Sequence, residues 1–79
     1  MKKDISNSVF IGELIKRELK RQGKTSVWLA KELDCHRTNV YKIYGRDTID
    51  TGMLLHISRI LNYDFFKLYS EILTSSSER

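Results

Sequence analysis

Residues 26–44, SVWLAKELDCHRTNVYKIY, read as two short helices joined by a tight turn. At helical spacing the first buries Leu29, Ala30 and Leu33 and the second buries Val40 and Ile43. The same spacing turns Arg37, Thr38, Asn39 and Lys42 outward, so the second helix has a polar, cationic face. Asp34, Cys35 and His36 form the turn between them. Two helices set at a steep angle by a turn of about three to four residues are the helix-turn-helix unit, whose second helix enters the DNA major groove. The expectation from this stretch is DNA binding.

Working outward, Val9 to Gln22 predicts an amphipathic helix. Ile11, Leu14, Ile15 and Leu19 share one face, and Lys16, Arg17, Lys20 and Arg21 share the other. Gly23 stands where a helix ends on a left-handed residue, and Thr25 or Ser26 then caps the next one. Downstream, Gly45 closes the helix over Arg37 to Tyr44, and Arg46-Asp47-Thr48-Ile49 is a polar connector. Asp50 caps a fourth helix, Thr51 to Leu61, with Met53, Leu54, Ile57, Ile60 and Leu61 at helical spacing. Asn62-Tyr63 breaks it. Asp64 caps a fifth, Phe65 to Leu73, which presents Phe65, Phe66, Leu68, Tyr69, Ile72 and Leu73. The expected organisation is a flexible segment over 1–8, an all-α, five-helix domain over 9–73 and a disordered polar tail over 74–79.

The bulk properties narrow the classes. A chain of 79 residues has room for one small domain and one modest core. The absence of proline favours helices joined by short turns. The net charge of +4 is unevenly placed: Val9 to Arg46 hold nine Lys/Arg against four Asp/Glu, and the remainder five against six. Positive charge thus lies on the half with the DNA-reading unit, as attraction to phosphate requires. A single cysteine excludes an intramolecular disulfide and fits a reducing compartment. Glu13 interrupts any signal-peptide core, and no apolar run approaches the ~20 residues of a membrane span. A cytoplasmic location is expected, on the nucleoid in a bacterium, with no membrane association.

The order of elements resembles the phage-repressor-like (XRE, or Cro/CI-type) regulators, whose pattern runs Thr-Gln-x-x-Leu-Ala-x-x-x-Gly-Val-Ser and then x-x-x-Ile-x-x-Ile or Trp. Here Thr25-Ser26-Val27-Trp28-Leu29-Ala30-Lys31-Glu32-Leu33-Asp34-Cys35-His36 is followed by Val40 and Ile43. The likeness spans about Val9 to Leu73 and implies a compact lambda-repressor-like fold with helices 2 and 3 as the helix-turn-helix. It further implies a bacterial transcriptional regulator, expected to repress. Three departures from the pattern, over four positions, matter. Ser26 replaces a phosphate-binding Gln, and Asp34 replaces the turn Gly but tolerates a left-handed backbone. Leu19 and Tyr44 stand where many members pair Arg with Glu, an ion pair exchanged for apolar packing.

Arg37, Thr38, Asn39 and Lys42 are the expected base readers. Arg forks onto guanine O6 and N7, Asn pairs with adenine N6 and N7, and the Thr methyl meets a thymine methyl. Ser26, His36, Arg46 and Thr48 are expected at phosphates, with Lys24 and Thr51 as further candidates. Lys16, Arg17, Lys20 and Arg21 are read as a solvated face giving long-range attraction. Cys35 reads as a small apolar plug, His36 as a cap or a phosphate neighbour, and Trp28 as packing beside the core. A short terminal helix cannot bury all its aromatic residues, so Phe66, Tyr69 and Leu73 are the candidate dimer surface of a homodimer on a pseudo-palindromic site. No catalytic residues, metal site or cofactor are expected: Cys35, His36 and His56 lack ligand spacing, and no nucleophile–base pair or phosphate-binding glycine loop exists. The rival readings are an antitoxin-type or accessory protein whose main role is binding another protein, and a nonspecific nucleoid protein.

Overall fold

In the computed structural model, which describes residues 9–76, the chain forms α1 (Ile11–Arg21), α2 (Ser26–Leu33), α3 (Arg37–Tyr44), α4 (Thr51–Leu61) and α5 (Phe66–Ser76). No strand occurs among the described residues. The 1–8 segment and residues 77–79 of the expected tail lie outside them.

Three of the turns share one device. Gly23, Asp34 and Asn62 lie in the left-handed region, at φ 72°, 57° and 52°. In each case the following N–H reaches back to the carbonyl five residues earlier: Lys24 to Leu19 at 2.9 Å, Cys35 to Ala30 at 2.9 Å and Tyr63 to Ser58 at 3.0 Å. This Schellman closure satisfies carbonyls that a helix end would leave bare. Side-chain caps fix the starts: Thr25 Oγ1 accepts from the Trp28 N–H at 3.0 Å, and Asp50 Oδ1 accepts from those of Gly52 and Met53. Asp64 Oδ1 accepts from the Lys67 N–H at 3.2 Å, ahead of α5.

The fifth helix differs from expectation at both ends. Phe65 sits in the turn before it, where its ring is wholly buried and meets Tyr63 edge-on at 4.7 Å. At the other end α5 continues through Ser76, with the Thr74 hydroxyl bonded back to the Ser70 carbonyl at 2.9 Å. Residues 74–76 are therefore helical rather than part of a disordered tail; no glycine or proline interrupts them.

The core gathers Ile11, Ile15 and Leu19 from α1, Leu29 and Ala30 from α2, Val40 and Ile43 from α3, Leu54, Ile57 and Leu61 from α4, and Phe65. Leu14, Leu33, Met53 and Ile60, which periodicity also turned inward, are half-buried at its margin. Both α1 and α2 pack against α3. The α1–α3 approach depends on Gly12. Its N–H donates to the Arg46 carbonyl at 3.0 Å, and a Cβ there would meet the Ile43 and Tyr44 carbonyl oxygens at 2.3 and 2.5 Å.

A polar clasp ties the far end of α1 to α4. Glu18 is only 7% exposed and is gripped by Arg21 through Nε at 2.9 Å and through a second nitrogen. Gln22 Nε2 donates both to Glu18 Oε2 at 2.7 Å and to the Leu61 carbonyl at 2.8 Å. The Arg21 hydrogen bond holds the Glu18 carboxyl below its ordinary value; burial opposes this and the Gln22 bond assists.

Two outcomes are expected. Alanine normally gains about 1 kcal/mol over glycine inside a helix, but Gly12→Ala must push two rigid carbonyls away. A net loss of about 1–3 kcal/mol is expected, read as a lower unfolding midpoint in urea. Because the folded-state pKa of Glu18 is depressed, its stabilisation is present above the ordinary carboxylate value and lost as pH falls through the lowered one. The difference in unfolding temperature between the native chain and Glu18→Gln should therefore shrink from about pH 6 to about pH 3. A constant difference across that range would show that the carboxylate charge contributes nothing.

Candidate nucleic-acid interface

The α2–α3 unit presents its outer side as the spacing predicts. Arg37, Thr38, Asn39 and Lys42 are all exposed, and no side-chain hydrogen bond or ion pair engages them among the described residues. They do not form one tight cluster, however. At 3.6 residues per turn, Thr38 and Lys42 occupy the middle of the exposed side while Arg37 and Asn39 fall on opposite flanks. Arg37 lies on the α2 side, where it lines a shallow groove with Val27, Ala30, Lys31, Cys35 and His36. The middle also holds a residue that the spacing did not single out, Tyr41, which is 52% exposed.

Of the positions expected at phosphates, Ser26 is half-buried, and its hydroxyl is 2.8 Å from that of Tyr44. The environment of Leu19 and Tyr44, expected to be apolar packing, is thus not purely apolar. Leu19 is buried and the Tyr44 ring packs on the core, but the Tyr44 hydroxyl keeps a polar link to α2. Burial raises the Tyr44 pKa, so the hydroxyl stays protonated at neutral pH. His36 occupies the position before α3 but makes no side-chain cap there, which leaves the first N–H groups of α3 without one. Arg46 Nε donates to the Thr48 carbonyl at 3.1 Å, which orders the connector, and both residues are exposed. Thr51 offers no free helix terminus, because the Asp50 carboxylate already takes the N–H groups at the start of α4.

The basic side of α1 divides in two. Arg17 lies 3.7 Å from Glu13, and Arg21 is engaged by Glu18, so each guanidinium faces a carboxylate. Lys16 and Lys20 instead line a cleft of about 150 Å³ together with Leu19, Lys24, Thr25, Ser26 and Tyr44. Lys16 Nζ stands 5.7 Å from the centre of the Tyr44 ring, and Lys24 Nζ stands 4.6 Å from that of Trp28, both within cation–π range. Trp28 is half-buried against the core, as its position predicts, with Lys24 over its face. Lys16, Lys20 and Lys24 thus line one cleft with Thr25, Ser26 and Tyr44 where α2 begins, a set of residue types suited to an oxyanion. The sequence did not separate these lysines from their neighbouring arginines, because the distinction lies in which cations already have a carboxylate.

The cleft adjoins the exposed side of α3 through Tyr44, whose ring centre is 6.1 Å from that of Tyr41. Cys35 is half-buried at the core margin, as the plug reading requires. Among the described residues no group of three or more His, Cys, Asp or Glu side chains could hold a metal ion, and no helix is long and apolar enough to cross a membrane. No protein-family model, curated protein or solved structure matches the chain.

If the cleft holds a nucleic-acid phosphate, Lys16→Ala and Lys20→Ala should each flatten the dependence of log affinity on log salt by about one unit. Arg17→Ala should leave the slope nearly unchanged. Equal effects from all three would assign the lysines to long-range attraction instead.

Proposed function

We propose that the chain is a sequence-specific double-stranded-DNA-binding regulator, with α2 and α3 as a helix-turn-helix of the phage-repressor-like type. The observation that carries this reading is the adjacency of two features. The exposed side of α3 bears polar and cationic side chains without partners among the described residues, and the lysine-lined cleft at the start of α2 lies beside it across Tyr44. The first suits base edges in the major groove, and the second suits the phosphate backbone flanking it. In this reading α3 reads a half-site, and Lys16, Lys20, Lys24 and Ser26, together with Arg46 and Thr48 beyond the end of α3, hold phosphate. Regulation is by occlusion, which makes the protein a repressor acting on the nucleoid.

A single domain offers a small interface, so useful affinity requires a two-fold dimer with half-sites about one helical turn, or a multiple of it, apart. The apolar side of α5 supports this: Leu73 is 68% exposed, Tyr69 is 37% exposed and Phe66 is half-buried. The same surface, with Leu55 of α4 at 44% exposure, favours a second reading in which a different protein docks there and DNA binding is secondary. Trp28 does not add to that surface, since it packs on the core beneath Lys24.

Fluorescence anisotropy with duplex from the region upstream of its own coding sequence, against shuffled duplex at two salt concentrations, tests the reading. A preference of about a hundredfold or more that persists at the higher salt is expected. Arg37→Ala together with Asn39→Ala should cut that preference by at least about tenfold without changing the unfolding temperature. Equal, salt-labile binding to both duplexes would overturn sequence-specific regulation and leave the protein-binding reading.

A further inference from the structure

Among the exposed side chains of α3, one is neither cationic nor a small polar group. Tyr41 leaves about half of its surface in solvent, in the middle of an otherwise hydrophilic side. Its neighbours one turn back are Arg37 and Thr38, at the four- and three-residue spacings that bring helical side chains together. Lys42 follows Thr38 at the same four-residue spacing, so Tyr41 belongs to a continuous patch with three of the expected base readers.

The ring is also supported from one side. Tyr44 packs against it at 6.1 Å between centroids, with the planes inclined by 59°. Tyr44 is in turn tied to α2 by its hydroxyl bond to Ser26 and lies under Lys16. A tyrosine has only two side-chain torsions to immobilise, and one buttressed in this way loses little freedom on contact. The patch therefore combines flexible cations with one oriented apolar face.

We infer that Tyr41 is a specificity-determining residue, its ring taking the C5-methyl group of a thymine in the major groove. This rests on the DNA-reading assignment of α3 made above. Arg37 and Lys42 can satisfy acceptors on guanine or on phosphate, and Thr38 serves either donors or acceptors. The ring face has no such match among the polar edges of the bases. The thymine methyl is the one apolar group that the major groove of unmodified DNA presents, and it is the feature an oriented ring selects.

The test is selection of preferred duplexes from a random pool by the native chain, Tyr41→Ala and Tyr41→Phe, followed by affinity measurements with one thymine replaced by deoxyuridine. That replacement removes only the methyl group. The native chain and Tyr41→Phe should both prefer thymine at one position of the site, and Tyr41→Ala should lose that preference while keeping the others. Deoxyuridine there should weaken the native chain by about fourfold, the worth of one buried methyl, and leave Tyr41→Ala almost unaffected. Unfolding temperatures of the variants should match the native chain, since the side chain is exposed. The inference is overturned if Tyr41→Ala selects the same site with undiminished preference, or if Tyr41→Phe behaves like Tyr41→Ala, which would assign the contact to the hydroxyl. A native chain that selects no sequence overturns the assignment of α3 itself, and this inference with it.

Discussion

The backbone of α1 lies directly on the last carbonyls of α3, and a missing side chain at Gly12 makes that possible. Most helix pairs are held apart by about 8–10 Å because their side chains interdigitate. At Gly12 nothing intervenes, and an N–H in the first turn of α1 meets the Arg46 carbonyl just beyond the end of α3. The positive end of one helix dipole thus faces the negative end of another, which is the favourable arrangement. With α1 so close, Ile11 and Ile15 reach full burial, and the Tyr44 ring comes within range of Lys16.

The opposite end of α1 is held by polar chemistry rather than by contact of backbones. Glu18 is buried with its partners supplied: Arg21 and Gln22 satisfy the carboxylate, and Gln22 bonds onward to a carbonyl at the end of α4. Removing one partner of such a network costs more than the net worth of the bond, because the buried charge loses its compensation. The clasp also has an electrostatic effect on the surface. Arg17 and Arg21 face carboxylates, while Lys16 and Lys20, beside Ser26 and Tyr44, have no carboxylate partner among the described residues. Cations without a carboxylate are thereby confined to one half of the basic face of α1.

The limits of α2, α3 and α4 were legible in the sequence because their signals are local. Thr25 and Asp50 bond N–H groups two or three residues on, and Asp34 and Asn62 adopt the left-handed conformation that short polar side chains tolerate. The inward positions of α1 to α4 were legible from periodicity for the same reason. What was hidden involves partners from other elements. Nothing local marks Gly12 as a contact point until α3 is placed beside it, and nothing local gives Gln22 a partner in the Leu61 carbonyl. Tyr44 was expected to pack, but its bond to Ser26 and its contact with the exposed Tyr41 ring appear only in the fold. The exposed identity of Arg37, Thr38, Asn39 and Lys42 was readable, whereas the placing of Arg37 on the flank beside α2 required the fold.

Gly12, Lys16 and Lys20 are successive members of one four-residue ridge along α1. The ridge is anchored at its glycine end and carries the cleft-lining lysines further along, so α1 acts as a ruler with a fixed phase. One residue inserted between Gly12 and Lys16 would swing the lysines about 100° around the axis, away from the cleft, with composition and helix propensity scarcely changed. Glu13 and Arg17, exposed and outside both the clasp and the cleft, are therefore open to substitution, but the number of residues separating the anchor from the lysines is not.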